Sequence, residues 1–94
     1  MQITITKCGR PLWYKGVIGR YQFEAKVYDE PSTYGINEGR ISKLRVWDGT
    51  MPTNAVNPFE SSIMNYDREW NIEPEGAYAA MADALIARLE QLPR

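Results

Sequence analysis

The chain has 94 residues, of which 44% are hydrophobic, 12% aromatic and 24% charged, and its net charge is −1. This length indicates a single domain over residues 1–94, and the apolar content excludes wholesale disorder. The sequence contains no histidine and one cysteine, Cys8, which excludes Ser-His and Cys-His nucleophile chemistry, the common zinc sites and an internal disulfide.

Charge is unevenly distributed along the chain. Residues 1–50 hold eight Lys/Arg against five Asp/Glu, whereas 51–94 hold three against seven. With three tryptophans and six tyrosines in a small domain, this asymmetry predicts self-association as a homodimer. The alternatives are a face that binds an anionic ligand and an uneven surface that is only solvated. No stretch approaches the roughly 18–20 apolar residues of a membrane span, and the N-terminus lacks a signal-peptide pattern. We therefore expect a cytoplasmic protein without a membrane partner.

Alternating polar and apolar residues predict about five strands in the first three quarters of the chain. Gly19-Arg20 is typical of a tight hairpin turn, and Gly16 within a strand indicates a bulge or the close approach of another backbone. The predicted strands are Met1–Lys7, Leu12–Ile18, Tyr21–Tyr28, Ile41–Asp48 and Ile63–Ile72.

The remaining segments are a connection and a helix. Residues 49–61 contain two prolines and no periodicity, which predicts an irregular connection. Pro74 suits the first position of a helix of about 17 residues. Its apolar stripe comprises Tyr78, Met81, Leu85, Leu89 and Leu92. The predicted fold class is α+β: a single, mostly antiparallel sheet with this helix packed on one face.

The sheet face away from the helix is the first candidate binding surface. Antiparallel pairing of the third and fourth predicted strands places Gln22, Glu24, Lys26 and Tyr28 beside Ile41, Lys43, Arg45 and Trp47. Basic residues interleaved with aromatics can hold a phosphate and stack a base. Cross-strand ion pairs, such as Glu24 with Lys43 or Arg45, explain the same charges without a ligand.

The loop over residues 32–40 is the second candidate. Gly35 and Gly39 flank Ile36-Asn37-Glu38, and Arg40 follows, so backbone amides and one guanidinium could bind an anion. The alternative is a plain loop with its glycines at positive φ. Asp67 and Glu69 would lie on the same side of a strand, as two catalytic carboxylates might. Strand alternation alone produces such pairs, so no catalytic or metal site is predicted. The predicted residues for binding a protein or an anionic ligand are Tyr28, Tyr34, Ile36, Arg40, Lys43, Arg45 and Trp47.

Four segments resemble a family of short proteins of unknown function from phages, plasmids and gut bacteria. They are Trp13-x-x-Gly16-x-Ile18-Gly19, Phe23-x-Ala25-Lys26-Val27-Tyr28-Asp29-Glu30, Gly35-Ile36-Asn37-x-Gly39-Arg40-Ile41-Ser42-Lys43-Leu44 and Tyr66-Asp67-Arg68-x-Trp70-x-Ile72-Glu73-Pro74. The resemblance spans about residues 13–74 and implies a setting among accessory genes of mobile elements, where small proteins often antagonise host defence.

We therefore expect a binding protein without enzymatic activity and without a cofactor. Its expected partner is a host defence protein, bound stoichiometrically. A small anionic nucleotide signal is the alternative partner, and a structural domain without a ligand is a further alternative. A whole-chain charge near zero argues against strong nucleic-acid binding.

Overall fold

The computed structural model describes residues 2–49 and 62–93. Within these residues, six strands precede one α-helix: β1 (Ile3–Lys7), β2 (Trp13–Ile18), β3 (Tyr21–Val27), β4 (Ile41–Asp48), β5 (Ser62–Asp67), β6 (Trp70–Ile72) and α1 (Ala77–Glu90). Each strand pairs antiparallel with the next, so the six form one sheet in sequence order. The predicted α+β class is confirmed, with six strands rather than about five. Apart from Gly49, the predicted connection 49–61 lies outside the described residues.

The additional strand arises because the predicted strand Ile63–Ile72 is a hairpin. The chain reverses after Asp67, whose N–H donates to the carbonyl of Glu69 at 3.0 Å. Arg68 takes a positive φ of 67° in this turn. A continuous strand would place the charged Arg68 on the same face as Tyr66 and Trp70, so the chain turns here and leaves Arg68 exposed. Tyr66 and Trp70, on either side, pack edge to face with their ring centroids 5.1 Å apart.

The hydrophobic core lies between α1 and one face of the sheet. Phe23, Ala25 and Val27 alternate inward along β3 and belong to the same buried cluster as Leu85 and Leu89 of the helix. The prediction that α1 is a structural helix with a buried stripe therefore holds for Met81, Leu85 and Leu89, which are at most 4% exposed.

Three details of the predicted helix are wrong. Leu92, a member of the predicted apolar stripe, lies beyond the last helical residue, Glu90. The helix begins at Ala77 rather than Pro74 because Gly76, at φ 57°, turns the chain immediately before it. Tyr78 is 37% exposed because it packs at the side of the helix, edge to face with Tyr21. The helix is consequently 14 residues long.

The pairing of β3 with β4 positions the outer side chains. Glu24 lies opposite Arg45 and Lys26 opposite Lys43, as the alternation predicts. Beyond Lys26 the register shifts, so that Val27 pairs with Ile41 and Ser42 has no partner in the ladder. This β-bulge turns Ile41 into the core, where it is fully buried, and corrects its predicted outward placement.

Two glycines in the first hairpins behave as predicted. A Cβ at Gly16 would overlap the carbonyl oxygen of Thr4 and the ring of Phe23, so this strand position requires the close approach that only glycine permits. Gly19 has a φ of 61° in the turn between β2 and β3, a conformation that side chains disfavour.

Candidate functional site on the outer face of the sheet

We call the sheet face opposite α1 the outer face; its side chains include Trp13, Glu24, Lys26, Lys43, Arg45 and Trp47. Arg45 Nη2 lies 3.2 Å from Glu24 Oε1, which confirms the predicted cross-strand ion pair. The Arg45 guanidinium also lies 4.7 Å from the centre of the Trp47 ring. Arg45 and Trp47 therefore contact each other, and Trp47 is half-buried rather than a core residue.

A cavity of about 590 Å³ opens where the outer face meets the loop that follows β3 and the turn between β5 and β6. We call it the outer cavity. Tyr28 and Tyr34 line it from the loop, and they are 38% and 61% exposed. Large aromatic side chains left in contact with solvent beside a concave surface are typical of binding sites.

Three cationic side chains line the sheet side of the outer cavity: Lys26, Lys43 and Arg68. Lys26 and Lys43 are directly opposite each other on neighbouring strands, an arrangement that is destabilising for like charges. Asp67 offsets the repulsion between the two lysines only weakly, because its carboxylate lies 4.0 Å from Lys43 Nζ and both side chains are exposed. The positive charge of the cavity is thus concentrated along β3, β4 and the β5–β6 turn.

The cations are oriented by aromatic rings. Lys26 Nζ lies 5.2 Å from the centre of the Tyr28 ring, and the Arg68 guanidinium lies 5.7 Å from that of Tyr34. Both separations are within the range of cation–π attraction, worth about 0.5–1 kcal/mol at exposed sites. Each tyrosine of the rim is therefore coupled to one cation of the sheet side.

Acidic side chains lie on the loop side of the outer cavity. Asp29 and Glu30 follow Tyr28 directly and line the cavity together with Ser32. The outer cavity therefore has a basic sheet side and an acidic loop side, with tyrosines at its rim.

Two residues with left-handed backbone conformations also line the outer cavity. Leu12 has a φ of 72° and Arg68 one of 67°. Backbone hydrogen bonds hold both: Leu12 O accepts from Val27 N–H at 2.9 Å, and Arg68 N–H donates to Ser42 O at 3.3 Å. Such conformations cost about 1–3 kcal/mol and persist only where the surrounding structure enforces them.

Arg40 holds the loop against the end of α1. Its Nε donates to Tyr28 O at 2.8 Å, and its Nη1 donates to Glu90 O and Leu92 O at 2.8 and 2.7 Å. The Glu90 carboxylate in turn accepts the backbone N–H of Arg40 at 2.8 Å. Arg40 is 6% exposed, so the prediction that it offers a guanidinium to a ligand is corrected: it caps the helix C-terminus, where a cation is favourable.

Ile36 and the loop glycines also differ from prediction. Ile36 is 2% exposed and belongs to the core, so it does not project from the loop. Gly35 and Gly39 have negative φ values. Glycine is required at position 35 because a Cβ there would overlap the backbone of Gly39, whereas a Cβ on Gly39 would displace the Glu90 carboxylate. The positive φ angles of this loop belong to Asn37 and Glu38 instead.

Tyr66 fixes the position of Tyr34. The Tyr66 hydroxyl donates to the backbone carbonyl of Tyr34 at 2.8 Å, while the Tyr34 side chain stays exposed. Burial, with a smaller contribution from the charge of Glu69, raises the pKa of the Tyr66 phenol above its ordinary value. The hydroxyl is therefore held in its protonated, donating form.

The structure brings together only part of the predicted binding set. Tyr28, Tyr34 and Lys43 line the outer cavity, whereas Arg45 lines a smaller cavity of about 260 Å³ that shares Lys43. The prediction did not include Lys26 or Arg68 among the binding residues. The run of three charges at 67–69 is a signal for a turn, but it does not reveal that the turn packs against the loop that carries Tyr34.

Residues 2–49 and 62–93 contain neither a cluster of metal ligands nor a membrane-spanning helix. No three His, Cys, Asp or Glu side chains of this part of the chain lie close enough together to hold a metal ion. No helix within it is long and apolar enough to cross a membrane.

Comparison with curated proteins found no match, and comparison with solved structures found none either. A family model matches residues 12–90. This range begins after β1 and includes every described residue that lines the outer cavity. The chain therefore belongs to the family described as Domain of unknown function (DUF7678).

Proposed function

We propose that this protein is a non-enzymatic binding protein whose partner occupies the outer cavity. The observation that carries the proposal is the cavity itself: about 590 Å³, with two exposed tyrosines at its rim and three cations on one side. Tyrosine and arginine are enriched among the residues that dominate binding energies. The volume lies within the range of roughly 300–1,000 Å³ typical of ligand sites.

The way the loop is attached supports a rigid site. Arg40 fastens the loop to the helix end, and Tyr66 fastens the backbone of Tyr34. These hydrogen bonds use backbone carbonyls of the loop and leave the tyrosine side chains available for a partner. A loop that is already ordered loses less conformational entropy on binding. Tyr28 and Tyr34 are thereby presented to a partner from a pre-formed surface.

The biological setting is part of the same proposal. The resemblance to short proteins of phages, plasmids and gut bacteria supports an accessory factor of a mobile element, acting in the host cytoplasm on a defence component. The proposed action is stoichiometric: the partner is held rather than transformed. Both a host protein and a sequestered small nucleotide fit this mode of action.

Photo-cross-linking tests whether the outer cavity contacts a partner. A photoreactive phenylalanine analogue in place of Tyr34 is irradiated in cells of the source organism, beside a matched control with the analogue in place of Ala84, an exposed position of α1. We expect a defined adduct at position 34, seen as a shifted band for a protein or an added intact mass for a small molecule, and none at position 84. Equal labelling at both positions, or none at either, would contradict the proposal.

A further inference from the structure

We infer that the outer cavity binds a nucleotide, with phosphate on its sheet side, the base against its tyrosines and the sugar on its loop side. This inference rests on the proposed function, since it names the chemical class of the partner held in the same cavity. It follows from three groups of side chains that line one concave surface and that together match the three parts of a nucleotide.

The sheet side of the cavity calls for an anion. Lys26 and Lys43 face each other across β3 and β4, and Arg68 lies at the adjoining turn. A phosphate placed among these cations would relieve the repulsion between the two opposed lysines and accept charge-assisted hydrogen bonds, which are roughly twice as strong as neutral ones. Arg68 adds the planar guanidinium geometry suited to phosphate oxygens.

The rim of the cavity calls for a flat, apolar group. Tyr28 and Tyr34 are exposed and line the same cavity as the cations. Stacking on an aromatic side chain stabilises any of the bases, because every base has a flat π-face. A free phosphate ion has no flat apolar group that could stack on these rings, so it would contact only the cations of the sheet side.

The loop side distinguishes a nucleotide from an acidic peptide. Asp29 and Glu30 line the cavity, and ionised carboxylates only accept hydrogen bonds. The hydroxyls of a ribose are donors that suit them, and a carboxylate bound to ribose hydroxyls is a known device of dinucleotide sites. An acidic peptide carries no neighbouring pair of hydroxyls to donate to these carboxylates.

The cavity would bind one nucleotide unit, which both a free mononucleotide and a cyclic dinucleotide contain. Titration calorimetry of the whole protein distinguishes the two: AMP and GMP form one arm and cyclic di-AMP the other, with adenosine and inorganic phosphate as partial ligands. We expect at least one nucleotide to bind at least about tenfold more tightly than adenosine or phosphate, since each partial ligand satisfies only part of the cavity. Saturation by phosphate alone at equal affinity would overturn the inference.

Three variants locate the binding site. We expect Arg68→Ala to weaken nucleotide binding by about tenfold or more through lost phosphate contact, and Tyr34→Ala to weaken it similarly through lost stacking. Arg88→Ala, which removes the same charge from an exposed position of α1, is the matched control and should leave the affinity unchanged. Thermal melts verify that each variant is folded.

The sugar contact has a separate readout. Asp29→Asn should reduce the preference of the protein for AMP over 2′,3′-dideoxy-AMP, because a site that accepts hydrogen bonds from hydroxyls discriminates against a ligand without them. A preference that does not change in this variant would overturn the assignment of the sugar to the loop side.

The outcomes separate this inference from the proposed function. A protein adduct at position 34 without measurable nucleotide binding would overturn the nucleotide and leave the cavity as a protein-binding site. If Arg88→Ala weakens nucleotide binding as much as Arg68→Ala does, the placement of the nucleotide in the outer cavity would be overturned. Absence of both the adduct and nucleotide binding would overturn both proposals.

Discussion

Replacement of Arg40 by alanine is the sharpest test of how the loop is attached. The guanidinium donates three hydrogen bonds of 2.7–2.8 Å to the carbonyls of Tyr28, Glu90 and Leu92. Hydrogen bonds that involve a charged group contribute about 1.5–3 kcal/mol each, and water entering the vacated space recovers part of that loss. We therefore expect Arg40→Ala to lower the free energy of unfolding by about 3–5 kcal/mol.

That loss is a large share of the stability of a small domain, for which the total is about 5–14 kcal/mol at this length. Urea denaturation followed by circular dichroism measures it, and a shift of the midpoint without a change in slope would identify a loss of stability. Arg40→Lys should recover less than half of the loss, because lysine lacks the planar fork that reaches three carbonyls.

Arg45→Ala is the matched control for this experiment. Arg45 pairs with Glu24 and lies over the Trp47 ring, but its side chain is 29% exposed. Exposed ion pairs contribute about 0–1 kcal/mol, so this variant should lose about 1 kcal/mol or less. If the free energy of unfolding fell as little in Arg40→Ala as in Arg45→Ala, the assignment of Arg40 as the helix cap would be refuted.

Four further results are expected. Leu85→Ala should lower the free energy of unfolding by about 2–5 kcal/mol in urea melts, since Leu85 is fully buried; a loss below about 1 kcal/mol would mean that α1 packs elsewhere. Tyr66→Phe should cost about 1 kcal/mol through the lost bond to Tyr34 O. The raised pKa of the Tyr66 phenol leaves the stability of the wild type intact below pH about 10 and lowers it as the pH rises further. Tyr66→Phe should therefore lose less stability than the wild type in the alkaline range. Identical melts of wild type and variant from pH 8 to 11 would contradict this. Gly39→Ala should destabilise by displacing the Glu90 carboxylate, whereas an unchanged melting temperature would refute that contact. We also propose a two-fold dimer, which a monomeric mass by light scattering at about 100 μM would contradict.

Much of the fold follows from local patterns. The strand from Tyr21 and the strand Ile41–Asp48 were predictable because their alternation is regular and each buries one face. The β5–β6 hairpin was not predicted, because the apolar residues on either side of the turn stay in phase with one continuous strand. The start of α1 was placed three residues too early because Pro74 is a general helix-start signal, whereas the turn depends on Gly76.

The candidate site was less predictable than the fold. Tyr28, Tyr34 and Lys43 follow from an exposed face and a loop beside it. Arg40 was misinterpreted because its partners, Glu90 and Leu92, lie some 50 residues away in sequence, and no local pattern reveals which arginine in a loop will meet a helix end. The contribution of Arg68 likewise depends on tertiary packing of the turn against the loop.

Amide chemical shifts during titration with AMP or GMP test the central claim most directly. If the outer cavity holds a nucleotide, the shifts should be confined to residues 12, 26–34, 42–43 and 68 and saturate at one nucleotide per chain. The nucleotide concentration needed for saturation should rise about tenfold or more in Arg68→Ala and stay unchanged in Arg88→Ala. Unchanged amides at these positions in the folded protein at millimolar nucleotide, or shifts centred on α1, would contradict the account.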